Sequence, residues 1–333
     1  MTRMIADAVS ERIVELSQTG LVKEISGFDS FQYANERLAY LTGVQTFFEE
    51  QKAFEIFRQA VRVAAPESDA KRKREFGDFQ TPPDLALKVC KYLAEEGVSP
   101  HTIIEPTFGE GNFIHAALHA FPEAQKIYGV EIQENYVWRV KIALLIRALL
   151  GREVSTQIEL YRDDIFTHPF PEQVLNSSNI LIIGNPPWVT NAELSSLESK
   201  NLPEKQNLKA LNGFDALTGK SNFDIAEYIL LRLLDLFAHT PGTLAILCKN
   251  AVAKNLVEIL PKKQYRVSLM RQLSINAQKE FNAAVDASLL VMNLGSARTS
   301  FTCQTGSLET PGMVGPHYGW TKGNFISNVD DYQ

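Results

Sequence analysis

Two hydrophobic rhythms divide this chain. Up to about residue 66 the apolar positions recur at helical spacing. Phe47, Phe54, Phe57 and Val61 follow one another at intervals of seven, three and four, which lines one face of an α-helix. Residues 1–70 therefore read as an N-terminal helical region. It runs out in PESDAKRKREFGD, a charged stretch with no apolar period that reads as a linker. Beyond it, short β-type apolar runs alternate with longer amphipathic segments. The pattern predicts strands at 102–104, 126–131, 157–161, 179–183, 243–248, 266–273 and 287–294, with helices at 82–96, 112–121 and 134–150. Such alternation implies an α/β fold, a seven-stranded and mostly parallel sheet with helices on both faces. The last two runs follow each other without a helix, which predicts an antiparallel hairpin at one edge. Residues 71–298 form this domain, and residues 299–333 a C-terminal segment. The polar stretch 189–222 is long for a loop, a length typical of functional lids or of disordered segments.

Composition narrows the class. Of 333 residues, 45% are hydrophobic and 22% charged, as in an ordinary globular protein. No apolar run approaches the ~20 residues of a membrane span, and the N-terminus has no signal-peptide core. Three widely spaced cysteines, Cys90, Cys248 and Cys303, offer neither a disulfide framework nor a CxxC metal site, so a reducing cytoplasm is expected. His115 and His119 share a helix face, but the residue after His115 is Ala116 rather than the Glu of HExxH, and no metal is expected. Net charge is −6. A nucleic-acid partner would have to be held by local patches, such as Lys71–Arg74, or by a part of the protein outside this sequence.

Candidate chemistry lies where predicted strands end. Glu105-Pro106-Thr107-Phe108-Gly109-Glu110-Gly111 leads from a strand into a helix. Ligands of open α/β sheets bind outside such strand ends, and the two glycines let a backbone approach a ligand closely. Ile114 replaces the third glycine of the dinucleotide fingerprint, which argues against NAD or FAD. Glu105 suits a cationic ligand better than a pyrophosphate. Glu131, 20 residues after Gly111, ends the next strand, where an acid can accept from the hydroxyls of a ribose. Asp164 ends the third strand, either as a helix cap or as acceptor of an exocyclic amine. Ile132, Ile165 and Phe166 offer apolar contact to a ring. Together these positions describe an unphosphorylated nucleoside carrying a positive group, a description that S-adenosylmethionine fits.

The fourth strand runs into Asn185-Pro186-Pro187-Trp188. The prolines stiffen the backbone and remove two donors, leaving carbonyl acceptors. An exocyclic amine on adenine is a poor nucleophile. Acceptors at the Asn185 side chain and the Pro186 carbonyl could bind its two hydrogens and orient its lone pair. Trp188 could stack on a base, which must first leave a duplex.

These motifs, in this order, resemble those of the N6-adenine DNA methyltransferases of bacterial restriction-modification systems, in the subgroup whose cofactor motifs precede the catalytic tetrapeptide. Phe79-Gln80-Thr81-Pro82-Pro83 resembles the motif that closes over the methionine part of the cofactor, with Thr81 also a plausible N-cap and Pro82 the first helical residue. Glu105, Pro106, Gly109 and Gly111 match Asp-Pro-x-x-Gly-x-Gly, with Glu for Asp. Glu131 matches the ribose acid, Asp164 the adenine acid and Asn185 to Trp188 the catalytic tetrapeptide. Ser221-Asn222-Phe223-Asp224 resembles the motif lining the cofactor's far side, and Phe281 a second stacking aromatic. The resemblance spans roughly residues 76–296. It implies a class I methyltransferase (Rossmann-like) domain that flips adenine out of double-stranded DNA and transfers the methyl group directly, in line. The family usually carries a target-recognition domain as well. Residues 299–333 could begin one, or a separate subunit could supply it. The competing readings are a protein glutamine-N5 methyltransferase, an RNA adenine methyltransferase and a non-catalytic cofactor-binding subunit.

Overall fold

The computed structural model describes residues 2–12, 28, 30–63, 80–152, 154–189 and 224–332. Ten strands form one sheet: β1 (Thr102–Glu105), β2 (Lys126–Glu131), β3 (Gln157–Arg162), β4 (Ile180–Gly184), β5 (Gly242–Lys249), β6 (Val267–Ile275), β7 (Ala287–Leu294), β8 (Thr302–Ser307), β9 (Val314–Thr321) and β10 (Asn324–Ile326). Their order is β10-β9-β8-β6-β7-β5-β4-β1-β2-β3. β3, β2, β1, β4 and β5 run parallel, and β7 is antiparallel to both β5 and β6. β1 and β4 are buried throughout, TIIE and ILIIG, as expected of strands covered on both faces.

The α/β architecture is the expected one, with two corrections. The sheet has ten strands rather than seven, and the antiparallel pair β6–β7 does not lie at its edge. β7, apolar and almost fully buried, inserts next to β5. β6 then pairs in parallel with β8, and β9 and β10 complete that side. Residues 302–326 thus extend the sheet rather than standing apart from it. Their polar, glycine-bearing strands are only partly buried, which is why no apolar run announces them.

The helices divide between the two faces. α1 (Thr2–Ser10), α2 (Phe31–Thr42), α3 (Gln51–Val63), α4 (Pro83–Glu95), α5 (Asn112–Ala120) and α6 (Glu134–Leu149) contribute to one hydrophobic cluster. The other face is covered by the short α7 (Glu172–Leu175), by α8 (Ile225–Phe237) and by α9 (Asn250–Ile259). α10 (Ala277–Phe281) joins the first cluster. The N-terminal helices therefore share a core with the sheet. Phe47, Phe48, Phe54 and Phe57 are fully buried, and the first two pack against Trp138 of α6 at ring separations of 6.3 and 6.1 Å. Burying each such ring contributes about 1.5–3 kcal/mol. Gly43 ends α2 at φ +78°, and a Cβ there would lie 2.3 Å from the Thr156 carbonyl. Only glycine allows that approach, and it lets Val44 bridge to Ile158 of β3.

Candidate active site at the carboxyl edge of the sheet

Because β3, β2, β1 and β4 are neighbours, the sequence motifs that follow them lie along one edge. The chain leaves β1 to pair with β2 on one side and with β4 on the other. The gap between β1 and β4 is therefore the switch point where open sheets bind ligands. The glycine turn after β1 and the Asn185 tetrapeptide after β4 flank it.

The glycine turn is held from several directions. Gly109 and Gly111 adopt φ of +49° and +72°. A Cβ at Gly109 would fall 2.4 Å from Gln80 Oε1, and one at Gly111 2.6 Å from Val140 Cγ2. The Gly109 N–H donates to Glu131 Oε2 at 2.9 Å, and the Glu110 N–H donates to Gln80 Oε1 at 2.8 Å. Asn112 Nδ2 donates to the Thr81 carbonyl at 2.9 Å, and Arg139 of α6 pairs with Glu110 at 3.7 Å. Thr81 is buried but does not cap α4. Pro82 holds the cap position and makes no side-chain cap, because the helix begins one residue later than expected.

Two carboxylates are buried beside this turn. Glu131 is 6% exposed and accepts from Gly109 and, through Oε1, from the Gln133 N–H at 2.8 Å. Glu105 is 2% exposed, and its Oε2 is buried with no hydrogen-bond partner among the described residues. Burial, and then the nearby Glu131 charge, hold the Glu105 carboxyl well above the usual carboxylate range, against a hydrogen bond from the Ile114 backbone. A carboxyl whose charged form is disfavoured by burial and by a like neighbour is a place where a positive ligand group stabilises that form. Pro106 is buried against Gly184 at the switch point. Ile132, beside Glu131, keeps an apolar side chain 43% exposed.

At the end of β3, Asp164 is half-buried. Its Oδ1 accepts from the Phe166 N–H at 2.9 Å, so it shapes a turn rather than capping a helix. Ile165 is buried below it. Arg232 of α8 donates to the carbonyls of Ile165 and His168 at 2.7 and 3.0 Å.

After β4, Asn185 and Pro187 are half-buried and Pro186 is buried. Trp188 is 4% exposed and donates from Nε1 to the Leu247 carbonyl at 3.3 Å. Its ring packs edge-on against Phe281, with centroids 4.9 Å apart. The two aromatics expected on either side of a base are thus brought together, but in contact with each other. Asp224 caps α8 through the Ala226 N–H and accepts from Lys249 Nζ at 2.8 Å. Phe79 and Phe223, and the basic run Lys71–Arg74, lie outside the described residues. Among the described residues no group of three or more His, Cys, Asp or Glu could hold a metal ion, and no helix is long and apolar enough to cross a membrane.

Sequence reasoning missed Gln80 as an acceptor for the turn, the Arg139–Glu110 pair and the Lys249–Asp224 pair. Each joins residues 25 or more positions apart, with no local pattern to mark it.

No protein-family model matches the chain. It is 39% identical over 235 residues to the Type II methyltransferase M.NspV of a Nostoc species, covering 70% of this chain and 48% of that protein. The chain spans about half the length of this relative. Among solved structures, it is similar to the methyltransferase subunit of a type I restriction-modification system from Streptococcus thermophilus. There the TM-score is 0.46 at 13% identity, covering 96% of this chain and 72% of that one. A putative class I S-adenosylmethionine-dependent methyltransferase from Listeria monocytogenes gives a TM-score of 0.46 at 12% identity, covering 93% and 94%.

Proposed function

We propose, from the chain's homology to a Type II methyltransferase and the site at the switch point, that it methylates the N6 amine of adenine in DNA. S-adenosylmethionine is its cofactor and supplies a methyl group made electrophilic by the adjacent sulfonium. The observation that carries the reading is the Asn185-Pro186-Pro187-Trp188 segment beside two buried acids at one strand-end crevice.

The chain's own residues divide the work. Glu105 and Glu131 offer negative charge to the cofactor's cationic end and acceptors to its ribose. Asp164 Oδ2 is the acceptor for the adenine amine of the cofactor, and Ile132 and Ile165 supply apolar walls. Asn185 Oδ1 and the Pro186 carbonyl accept the hydrogens of the target amine, fixing its orientation before reaction. Trp188 and Phe281 bound the target pocket, and a flipped base enters when their edge-on contact opens.

Glu105 gives this reading a proton signature. Its carboxyl titrates well above the ordinary value in the free chain. A cation beside it favours the charged form, so cofactor binding lowers that value and releases a proton. Affinity is therefore expected to rise with pH between the ordinary carboxylate range and the raised value of Glu105. Calorimetry in buffers of different ionisation enthalpy should give different heats in that window, and Glu105→Gln should abolish the difference. Buffer-independent heats in the parent chain would contradict the assignment.

The reaction itself is tested by transfer of labelled methyl from S-adenosylmethionine to duplex DNA, RNA and a cell protein extract in parallel. Label in DNA supports the reading. Label in RNA or in protein glutamine overturns it.

A further inference from the structure

Behind the Asp164 turn lies a polar chain that the reaction does not use, buried at Tyr128 and His168 and reaching the surface at Asp163. Tyr128, in the middle of β2, is fully buried, and His168 is 3% exposed. The Tyr128 hydroxyl lies 2.6 Å from His168 Nε2, and His168 Nδ1 lies 2.7 Å from Asp163 Oδ2. Asp163 Oδ1 in turn accepts from the Asp164 N–H at 2.8 Å. A carboxylate accepts only, so Nδ1 carries the ring hydrogen and Nε2 accepts from tyrosine. Donors from both sides therefore meet at the Asp163 carboxylate, which accepts from His168 Nδ1 through one oxygen and from the Asp164 N–H through the other, tying the core of the sheet to the backbone of Asp164.

We propose that Tyr128, His168 and Asp163 are positioning residues that fix the Asp164 turn and thereby set the affinity for the adenosine end of the cofactor. Three features point this way. The chain ends on the residue whose carboxylate, through the Phe166 N–H, defines the turn. The Asp164 carbonyl closes the same turn, accepting from Thr167 N at 3.0 Å and from His168 N at 2.8 Å. Arg232 grips the opposite side through the carbonyls of Ile165 and His168. A buried polar network is tolerated where each member is satisfied, and what it confers is a single geometry. An acceptor already held in place loses less freedom when the ligand arrives.

The inference rests on reading the strand-end crevice as the S-adenosylmethionine site, and its test separates the two. Tyr128→Phe removes one hydroxyl and keeps the ring. It is expected to weaken S-adenosylmethionine binding roughly tenfold by calorimetry. It should also speed amide hydrogen exchange at residues 164–168 in the chain without cofactor. In an Asp164→Ala background the same substitution should change binding little, since the group it positions is gone. His168→Gln should behave in the same way as Tyr128→Phe. Unchanged affinity together with unchanged exchange, or effects that simply add in the Asp164→Ala background, would overturn the proposal. A parent chain that fails to bind S-adenosylmethionine would overturn the reading of the crevice, while the exchange data would still decide whether the chain fixes the turn.

Discussion

Asn185→Ala is expected to reduce methyl transfer by at least about 10²–10³-fold, the loss typical when one preorganised polar group is removed from a reacting centre. Cofactor affinity should stay within about twofold, because Glu105, Glu131, Ile132, Asp164 and Ile165, the described residues proposed to hold the cofactor, lie on β1 and β2 or in the turns after β2 and β3. Folding should survive as well. Asn185 is half-buried at the end of β4, and the strand's buried ILIIG run holds it in the sheet. Turnover with saturating cofactor, set beside calorimetric binding, checks both halves of this expectation. A variant that binds cofactor and still transfers methyl at the parent rate would remove Asn185 from the reaction.

Glu131→Ala is expected to do the reverse. Its carboxylate accepts from Gly109 and Gln133, and each bond to a charged acceptor is worth about 1.5–3 kcal/mol. Alanine leaves the Gly109 N–H without that acceptor, loosens the turn and deletes the proposed ribose contact. An affinity loss of roughly 100-fold or more follows, since each 1.4 kcal/mol is tenfold. Removing the neighbouring charge also brings the Glu105 carboxyl down toward its ordinary range, because Glu131 raises it. Proton release on cofactor binding should therefore shrink in this variant. Transfer should recover at high cofactor concentration, in contrast to Asn185→Ala. Parent-like affinity in Glu131→Ala would refute the assignment of the ribose acid.

Much of this arrangement is legible in the sequence for a specific reason. Parallel strands covered on both faces are largely apolar runs, so β1, β2, β4 and β5 stand out against their neighbours, while the edge strand β3, QIELYR, shows as an alternation. Acids and glycines just after such runs fall at the carboxyl edge once the strands are parallel, which is why Glu105, Glu131, Asp164 and Asn185 converge. β8 to β10 escape notice because strands such as TCQTGS are partly buried and polar. The position of β7 is open to a closer reading. ASLLVMNL is apolar nearly throughout, whereas β6 alternates, and the more apolar strand takes the inner place beside β5. Side-chain pairings across the fold carry no such signal. Tyr128 and His168 are 40 residues apart, and Trp188 meets Phe281 across a much longer separation. An aromatic after two prolines reads as an open stacking platform until the fold brings a second ring against its edge.

The most direct test of the central claim is the identity of the methylated nucleoside. Genomic DNA from a methylation-free bacterial host expressing the chain is digested to nucleosides and separated. The account predicts N6-methyladenine, present with the parent chain and absent with Asn185→Ala. Methylated cytosine in its place, or N6-methyladenine at the same level with the Asn185→Ala variant, would contradict it.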